Sequence, residues 1–314
     1  MVGMEHVVTR PREPFTSADG RLEVHQIPSW KDNLIWLVVC KETGEATAVD
    51  GPEAAGVLAY CEEHGFRLTQ VLNTHTHPDH VGINRDLEKR GLLDEVQVVG
   101  PGRKAEAVPG IDRGVDEGDE VMIGTCTGRV LLTEGHIDGH VSYVFDDLLF
   151  CGDTLFGAGC GYLFDGPPAK MHASLEKLAT LPADTKVCCA HEYTEDNLRF
   201  AWTVEPDNEA LAQRIREVWA LRARGECSVP STMGEERATN PFLRTSSATL
   251  RDRVAHAMER VLESDGDVFA ATRALTEAAD GAEASGALAL GTTTDHRLLL
   301  NTTGTRLVAD ESSS

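Results

Sequence analysis

The stretch Thr74-His75-Thr76-His77-Pro78-Asp79-His80 sets three histidines and one aspartate within six residues. It follows Val71-Leu72, the end of an apolar β-type run, and precedes Val81-Gly82. Alternate residues of an extended segment point to one side, so His75 and His77 can approach one ion together. Asp79 and His80, from the turn that follows, can reach a second. Imidazole and carboxylate suit zinc, iron or manganese near neutral pH. A polar loop with incidental histidines is the duller alternative, and this spacing argues against it.

Two ions need more ligands than this stretch supplies. Three later segments offer them at strand ends, where loops carry grafted chemistry. Gly135-His136-Ile137-Asp138-Gly139-His140 precedes a strand, Cys151-Gly152-Asp153-Thr154 follows one, and Ala190-His191-Glu192 follows another. His140, facing a strand start, reads as a supporting residue rather than a ligand. His6, His25, His64, His172, His256 and His296 lack ligand spacing.

The elements that must position these residues follow from the hydrophobic pattern. β-type runs are expected at Leu22–Ile27, Leu34–Cys40, Ala46–Asp50, Leu68–Asn73, Val96–Val99, Glu120–Ile123, Arg129–Leu132, Val141–Phe145, Leu148–Cys151 and Lys186–Ala190. Asp50-Gly51-Pro52 opens a helix that Gly65 ends. Further helices are expected around Asn84–Arg90 and at His172–Leu181. Many strands with interspersed helices predict an α/β arrangement of sheets covered by helices. After His191 the pattern turns helical. Leu211, Ile215, Val218 and Leu221 form one stripe after Pro206-Asp207, Ser246–Glu263 repeats it, and Asp267–Ala279 follows. This divides the chain into an irregular extension over 1–20, a catalytic domain over 21–195, a helical substrate-binding domain over 196–285, and an extension over 286–314 that reads as a hairpin or a tail.

Taken together, the motifs resemble the metallo-β-lactamase superfamily, and more narrowly the hydroxyacylglutathione hydrolase (glyoxalase II) family. The matching segments are THTHPDH at 74–80, EGHIDGH at 134–140, FCGDTLFGAGCG at 150–161, CAHEYTEDNLRFA at 189–201, VEPDN at 204–208 and VPST…EE…NPFLR at 229–244. The resemblance implies an αββα sandwich, two sheets face to face with helices outside, plus a C-terminal helical domain. It implies two divalent metal ions, zinc first, with iron or manganese as alternatives. His75, His77 and His136 would hold the first. Asp79, His80 and His191 would hold the second, and Asp153 would bridge them, so that Asp79, His80 and Asp153 are also the catalytic residues. The implied reaction is hydrolysis of an S-(2-hydroxyacyl)glutathione, typically S-D-lactoylglutathione, by hydroxide held between the metals, the second step of methylglyoxal detoxification. Tyr162, Phe164, Tyr193 and Arg244 are the implied substrate-binding residues.

The chain departs from that family at the thiol end of the substrate. After Gly-Cys-Gly the usual basic residue, aromatic and Tyr are replaced by Tyr162-Leu163-Phe164, and no lysine follows Lys186. Glutathione carries two carboxylates that cationic partners normally receive, so a thioesterase with another thiol carrier is an alternative. So are a one-iron persulfide dioxygenase, a lactonase or β-lactamase on the same fold, and a non-catalytic binding module.

Composition bounds the partners. The 314 residues carry a formal net charge of -22, which repels polyanions and argues against nucleic acid. Only seven lysines occur. An acidic surface of this kind keeps a protein soluble at high salt. The eight cysteines are scattered, with no CxxC pair, and read as buried free thiols. The N-terminus lacks the apolar core of a signal peptide, and Leu34–Cys40 is too short to span a bilayer. A cytoplasmic protein is expected, a monomer or small homo-oligomer acting on a small-molecule thioester, without membrane partners.

Overall fold

The computed structural model describes residues 6–284 together with the short strands Leu299–Leu300 and Leu307–Val308. The first sheet has seven strands in chain order: β1 (Phe15–Thr16), β2 (Leu22–Ser29), β3 (Asn33–Cys40), β4 (Glu45–Val49), β5 (Arg67–Leu72), β6 (Gln97–Pro101) and β7 (Arg113–Val115). β1 to β4 pair antiparallel, and β4 to β7 pair parallel. Helix α1 (Ala55–His64) connects β4 to β5, and α2 (Pro78–Lys89) connects β5 to β6. The second sheet contains β8 (Glu120–Ile123), β9 (Cys126–Leu132), β10 (Val141–Phe145), β11 (Leu148–Gly152), β14 (Lys186–Cys189) and β15 (Ser231–Thr232), in the order β15-β14-β11-β10-β9-β8. Between β11 and β14 lie the small hairpin β12 (Leu155–Phe156) and β13 (Gly159–Cys160) and the helix α3 (Pro168–Ala179).

Strand β3 shows why the layers form. Every residue of Asn33–Cys40 is buried. Leu34, Trp36, Val38 and Cys40 face the core shared with the second sheet, where Tyr143, Phe145 and Phe150 lie. Ile35, Leu37 and Val39 face the opposite core, with Val57 and Cys61 of α1 and Ile83 and Leu87 of α2. Strands buried on both faces read as continuous apolar runs, and the alternation of the pleat assigns each residue to one layer or the other. The result is the αββα sandwich.

The helical region is α4 (Thr194–Val204), α5 (Glu209–Arg222), α6 (Met233–Thr239), α7 (Ala248–Ala257) and α8 (Asp265–Ala284). Several boundaries differ from the sequence reading. Helix α2 begins at Pro78, six residues before the expected start, because Pro at a first helical position needs no hydrogen-bonded N–H. Asp79 and His80 therefore stand on the first turn of a helix. Helices α4 and α6 and strand β7 were not expected. Helix α4 buries Leu198, Ala201 and Val204, with Phe200 and Trp202 partly buried beside them, and α6 is a two-turn helix started by Thr232, whose hydroxyl accepts from the Glu235 N–H. The expected helix Ser246–Glu263 stops at Ala257, and Glu259 has a positive φ of 49°. Within 1–20, β1 joins the first sheet and Val8 is buried in the inter-sheet core. The expected extension 286–314 lies outside the described residues except for the two short strands, which pair antiparallel.

A buried ion pair fastens the helical region to the sandwich. Arg214 of α5 donates to Glu236 of α6 at 2.5 Å, and both side chains are buried. Glu236 also accepts from Ser231 Oγ, from Asn240 Nδ2 and from the Ala158 N–H. Asn240 donates in turn to the Phe156 and Gly159 carbonyls. The loop between Asp153 and Gly161 is thus gripped from the helical side. Removing one partner of a buried pair strands the other charge, at a cost of about 3–5 kcal/mol. Glu236→Ala is expected to lose stability of that order, read as a lowered urea midpoint.

Candidate metal centre

The loops that follow β5, β11 and β14 and the loop before β10 meet at one end of the sandwich. The sheets are stitched together there. The Val141 N–H donates to the Thr74 carbonyl at 2.9 Å, Tyr143 Oη donates to the Asn73 carbonyl at 2.8 Å, and the Leu34 N–H donates to the Ala190 carbonyl at 2.7 Å. Close approach restricts the backbone. Gly152 has φ +47°, and a Cβ there would lie 2.2 Å from Thr74 Oγ1 and 2.8 Å from His140 Nε2. A glycine is the residue that fits.

His75, His77, His136 and Asp153 converge in one cluster, and Asp79, His80 and His191 in a second, each with candidate ligand atoms within 4.8 Å of one another. In the first, His77 Nδ1 is 3.0 Å from both His75 Nε2 and His136 Nε2. His136 Nδ1–H donates to the Tyr162 carbonyl at 2.7 Å, which leaves Nε2 to face the cluster. In the second, His80 Nε2 lies 3.4 Å from Asp79 Oδ2, and His191 Nε2 lies 3.3 Å from the same oxygen. Asp153 spans both. Its Oδ2 is 3.5 Å from His136 Nε2, and its Oδ1 is 3.4 Å from His80 Nε2 and 3.5 Å from His191 Nε2.

The donor set fits divalent cations. His80 Nε2 and Asp153 Oδ1 are buried without a hydrogen-bond partner among the described residues, a costly arrangement unless another group engages them. Burial, followed by the neighbouring imidazoles, holds His75 well below the ordinary histidine range, and burial likewise lowers His77 and His136 against the pull of Asp153. Three neutral imidazoles are what a cation requires. In the second cluster burial also works against charge, but the carboxylates prevail. Asp153 and Asp50 hold His80 well above its usual range, and Asp153, Asp32 and Asp79 raise His191 to about 9. Burial opposes ionisation of Asp79 and Asp153 too, yet His191 and His80 hold Asp79, and His80 and His191 hold Asp153, well below the usual carboxylate range. Positive charge is demanded at the position where a metal ion would sit.

Residues outside the expected ligand set orient it. Asp50, in a left-handed backbone conformation with φ 55°, accepts from the Thr74 N–H and hydroxyl at 2.8 and 2.7 Å and stands 3.0 Å from His80 Nδ1. Asp32 lies 2.9 Å from His191 Nδ1, and Asn33 Nδ2 donates to Asp79 Oδ2 at 3.0 Å. His140 is fully buried. Its Nε2 accepts the Asp153 N–H at 3.2 Å, and its Nδ1 meets Thr133 and Thr154 hydroxyls. Asp50 and Asp32 had no ligand spacing to mark them. The available signal was an acidic residue at a strand end, at Asp50-Gly51-Pro52, and in the β2–β3 turn.

Substrate candidates are distributed unevenly. Phe164 and Tyr162 are 60% and 47% exposed, and the Phe164 ring packs edge-on at 5.2 Å from His77 and 5.3 Å from His136. Tyr193 stacks on His191 with centroids 4.8 Å apart, and its hydroxyl donates to Asp32. Arg244 is differently employed. Its guanidinium is bidentate to buried Glu205 at 2.7 and 3.0 Å, so it braces the helical region instead of presenting a free cation.

Comparison with known proteins assigns the chain to a family. A family model of the metallo-beta-lactamase superfamily matches residues 42–191, and one of the hydroxyacylglutathione hydrolase C-terminus matches residues 192–278. A hydroxyacylglutathione hydrolase from Rhodospirillum rubrum is 46% identical over 254 residues, spanning 80% of this chain and 96% of the relative. One from Methylococcus capsulatus is 47% identical over 235 residues, spanning 74% and 91%.

The chain belongs to the hydroxyacylglutathione hydrolase family.

Two solved structures share the fold. ETHE1 from Myxococcus xanthus has a TM-score of 0.53 at 22% identity, covering 88% of this chain and 99% of its own, and the BLEG-1 B3 metallo-beta-lactamase has 0.51 at 21%, covering 70% and 99%. The match to the C-terminal family model separates this hydroxyacylglutathione hydrolase relative from the fold at large. Among the described residues, no helix is long and apolar enough to cross a membrane, and all eight cysteines are buried and free.

The Asp32–His191 contact fixes which imidazole nitrogen faces the second cluster. Losing such a partner typically costs 10–100-fold in metal affinity. Asp32→Asn is expected to show a loss of roughly that size for one of its ions, measured by competition with a chromophoric chelator, while the tighter ion is retained.

Proposed function

We propose that this protein is a dinuclear metal-dependent thioester hydrolase that cleaves S-(2-hydroxyacyl) thioesters, S-D-lactoylglutathione or a close analogue, to hydroxy acid and free thiol. One observation carries the reading: a single buried carboxylate, Asp153, turns one oxygen toward each of two complete donor clusters. His75, His77 and His136 would hold the first ion and Asp79, His80 and His191 the second, and zinc, iron and manganese all accept these donors. When bound, such a pair supplies a water acidified into the neutral range and Lewis-acid polarisation of a carbonyl.

The protein's own groups do the rest. His140, through the Asp153 N–H, and Asp50, through Thr74, keep the carboxylate and the histidine loop in register. Asp32 and the Tyr193 ring clamp His191 in orientation. Phe164 shields His77 and His136 from one side. No side chain has to protonate the leaving group, since a thiol of pKa about 8.5 departs as thiolate. The two thiols beside the site are held in the neutral form: burial pushes Cys151 and Cys189 well above their usual range. Helix α8 of the helical region supplies a wall for the thiol carrier, from which Arg273 lies over the Tyr162 ring. The resemblance of the C-terminal part to the hydroxyacylglutathione hydrolase family supports thioesters over β-lactams, lactones and persulfides.

Metal-loaded protein is expected to hydrolyse S-D-lactoylglutathione, followed by thiol release. Chelation should abolish turnover and either divalent zinc or manganese restore it. Asp153→Asn should lower kcat by at least about 100-fold, as loss of a major electrostatic element does. Absence of thioester cleavage from protein carrying both ions would overturn the reading.

A further inference from the structure

At the end of the sandwich away from the metal clusters, one sulfur is held by both sheets. Strand β3 begins at Asn33, whose side chain donates to Asp79, and ends at Cys40. At about 3.3 Å per residue the strand puts Cys40 roughly 23 Å from that ligand end. From the second sheet, the tight turn between β8 and β9 comes down on Cys40. A Cβ on its Gly124, which has φ +54°, would lie 2.6 Å from Cys40 Cβ and 2.7 Å from Cys40 Sγ. Thr125 Oγ1 of the same turn is 3.7 Å from that sulfur, and Cys126, the first residue of β9, hydrogen-bonds its thiol to it.

The surroundings of Cys40 suit a thiolate. Burial opposes the charge, but the Thr125 N–H, the Thr43 hydroxyl and N–H and the Thr125 hydroxyl turn toward the sulfur, and together they bring the thiol down to about 6. Glu42 and Glu45 compete for the two hydroxyls, and Arg21 donates to Thr125 Oγ1, so the two backbone N–H groups are the committed donors. One comes from the turn after β3 and the other from the turn before β9, and such converging N–H groups form an anion nest. Burial wins at the other seven thiols, all of which are pushed up, Cys126 to about 11. Cys40 is 0% and Cys126 5% exposed. The residues that cover Cys40, Thr43 and Thr125, are themselves exposed, so a single layer of turn separates the sulfur from solvent.

We propose that Cys40 and Cys126 form a peroxide-responsive dithiol, whose oxidation joins the two sheets through a disulfide. The Cys40 thiolate attacks one oxygen of hydrogen peroxide. An S–O bond forms, the O–O bond breaks, hydroxide leaves, and Cys40 becomes a sulfenic acid. The Cys126 sulfur then attacks the Cys40 sulfur. The S–S bond forms, the S–O bond breaks, and the hydroxyl leaves as water with the Cys126 proton. Two electrons pass from the pair of sulfurs to the peroxide. The bridge closes the long segment between β3 and β9, and cross-links that close long loops constrain the unfolded chain most.

The test uses the metal-loaded full chain in its reduced form, treated with a small molar excess of hydrogen peroxide, blocked with iodoacetamide, digested and mapped by mass spectrometry. A Cys40–Cys126 linked peptide is expected as the main oxidised product, and the oxidised chain should melt several degrees above the reduced one. On the untreated native chain, iodoacetamide should label Cys40 at least about tenfold faster than any other cysteine, since the thiolate is the reacting form. Cys126→Ala should accumulate a dimedone-reactive sulfenic acid at Cys40 and show no rise in melting temperature after peroxide. The linkage map is read on the wild type, so it holds whether or not the variant folds. Bridging of other cysteines, peroxide treatment that leaves Cys40 a free thiol, or an oxidised chain that melts no higher than the reduced one would overturn the proposal.

Discussion

The structure depends on one buried carboxylate shared by two groups of imidazoles. Asp153 is 7% exposed, and burying an ionised carboxylate is tolerable only when opposite charge surrounds it. His80 and His191 supply that charge on one side and His136 stands at the other. The convergence leaves His80 Nε2 and Asp153 Oδ1 buried with an ion-pair contact of 3.4 Å but no hydrogen bond among the described residues. It becomes favourable when a divalent ion replaces the protons. Strain of this kind at a site is expected where function, and not stability, selected the residues.

The rest of the fold maintains that unfavourable convergence. The αββα sandwich brings strand ends from two sheets to one edge, and hydrogen bonds between the sheets lock the edge at Thr74, Asn73 and Ala190. Four of the candidate ligands have a support of their own: Asp50 beside His80, Asp32 at His191, His140 beneath Asp153, and the Tyr162 carbonyl on His136. The helical region contributes from farther away, through Glu236 and Asn240 on the loop that follows Asp153. The loop that follows Asp153 is thus tied to a buried ion pair in the helical region.

Much of this was legible in the residues alone. The strands with continuous apolar runs, such as Leu34–Cys40, announce themselves because both faces are buried. The ligand candidates are legible because imidazole clusters at strand ends have few other uses. Short helices were not. Helix α4 opens on the polar run Thr194–Asn197, which in sequence reads as a continuation of the loop after His191. The start of α2 was displaced because a histidine cluster reads as loop, while Pro78 at the first position makes it a helix. Supporting carboxylates were invisible for a different reason. Asp32 and Asp50 meet His191 and His80 only through tertiary structure, and an acid at a strand end or turn is too common a local signal to separate them from surface acids. Arg244 illustrates another limit: its motif does not announce the bidentate pairing with Glu205 that the packing gives it.

The account therefore stands on the claim that Asp153 joins two cation sites. Anomalous diffraction at the metal edge, from crystals of protein loaded with zinc, tests that claim most directly. Two peaks are predicted, separated by about 3.5–4 Å as in other two-metal sites, with one Asp153 oxygen on each, His75, His77 and His136 around the first and Asp79, His80 and His191 around the second. A single peak from fully loaded protein, or two peaks of which Asp153 touches only one, would contradict it.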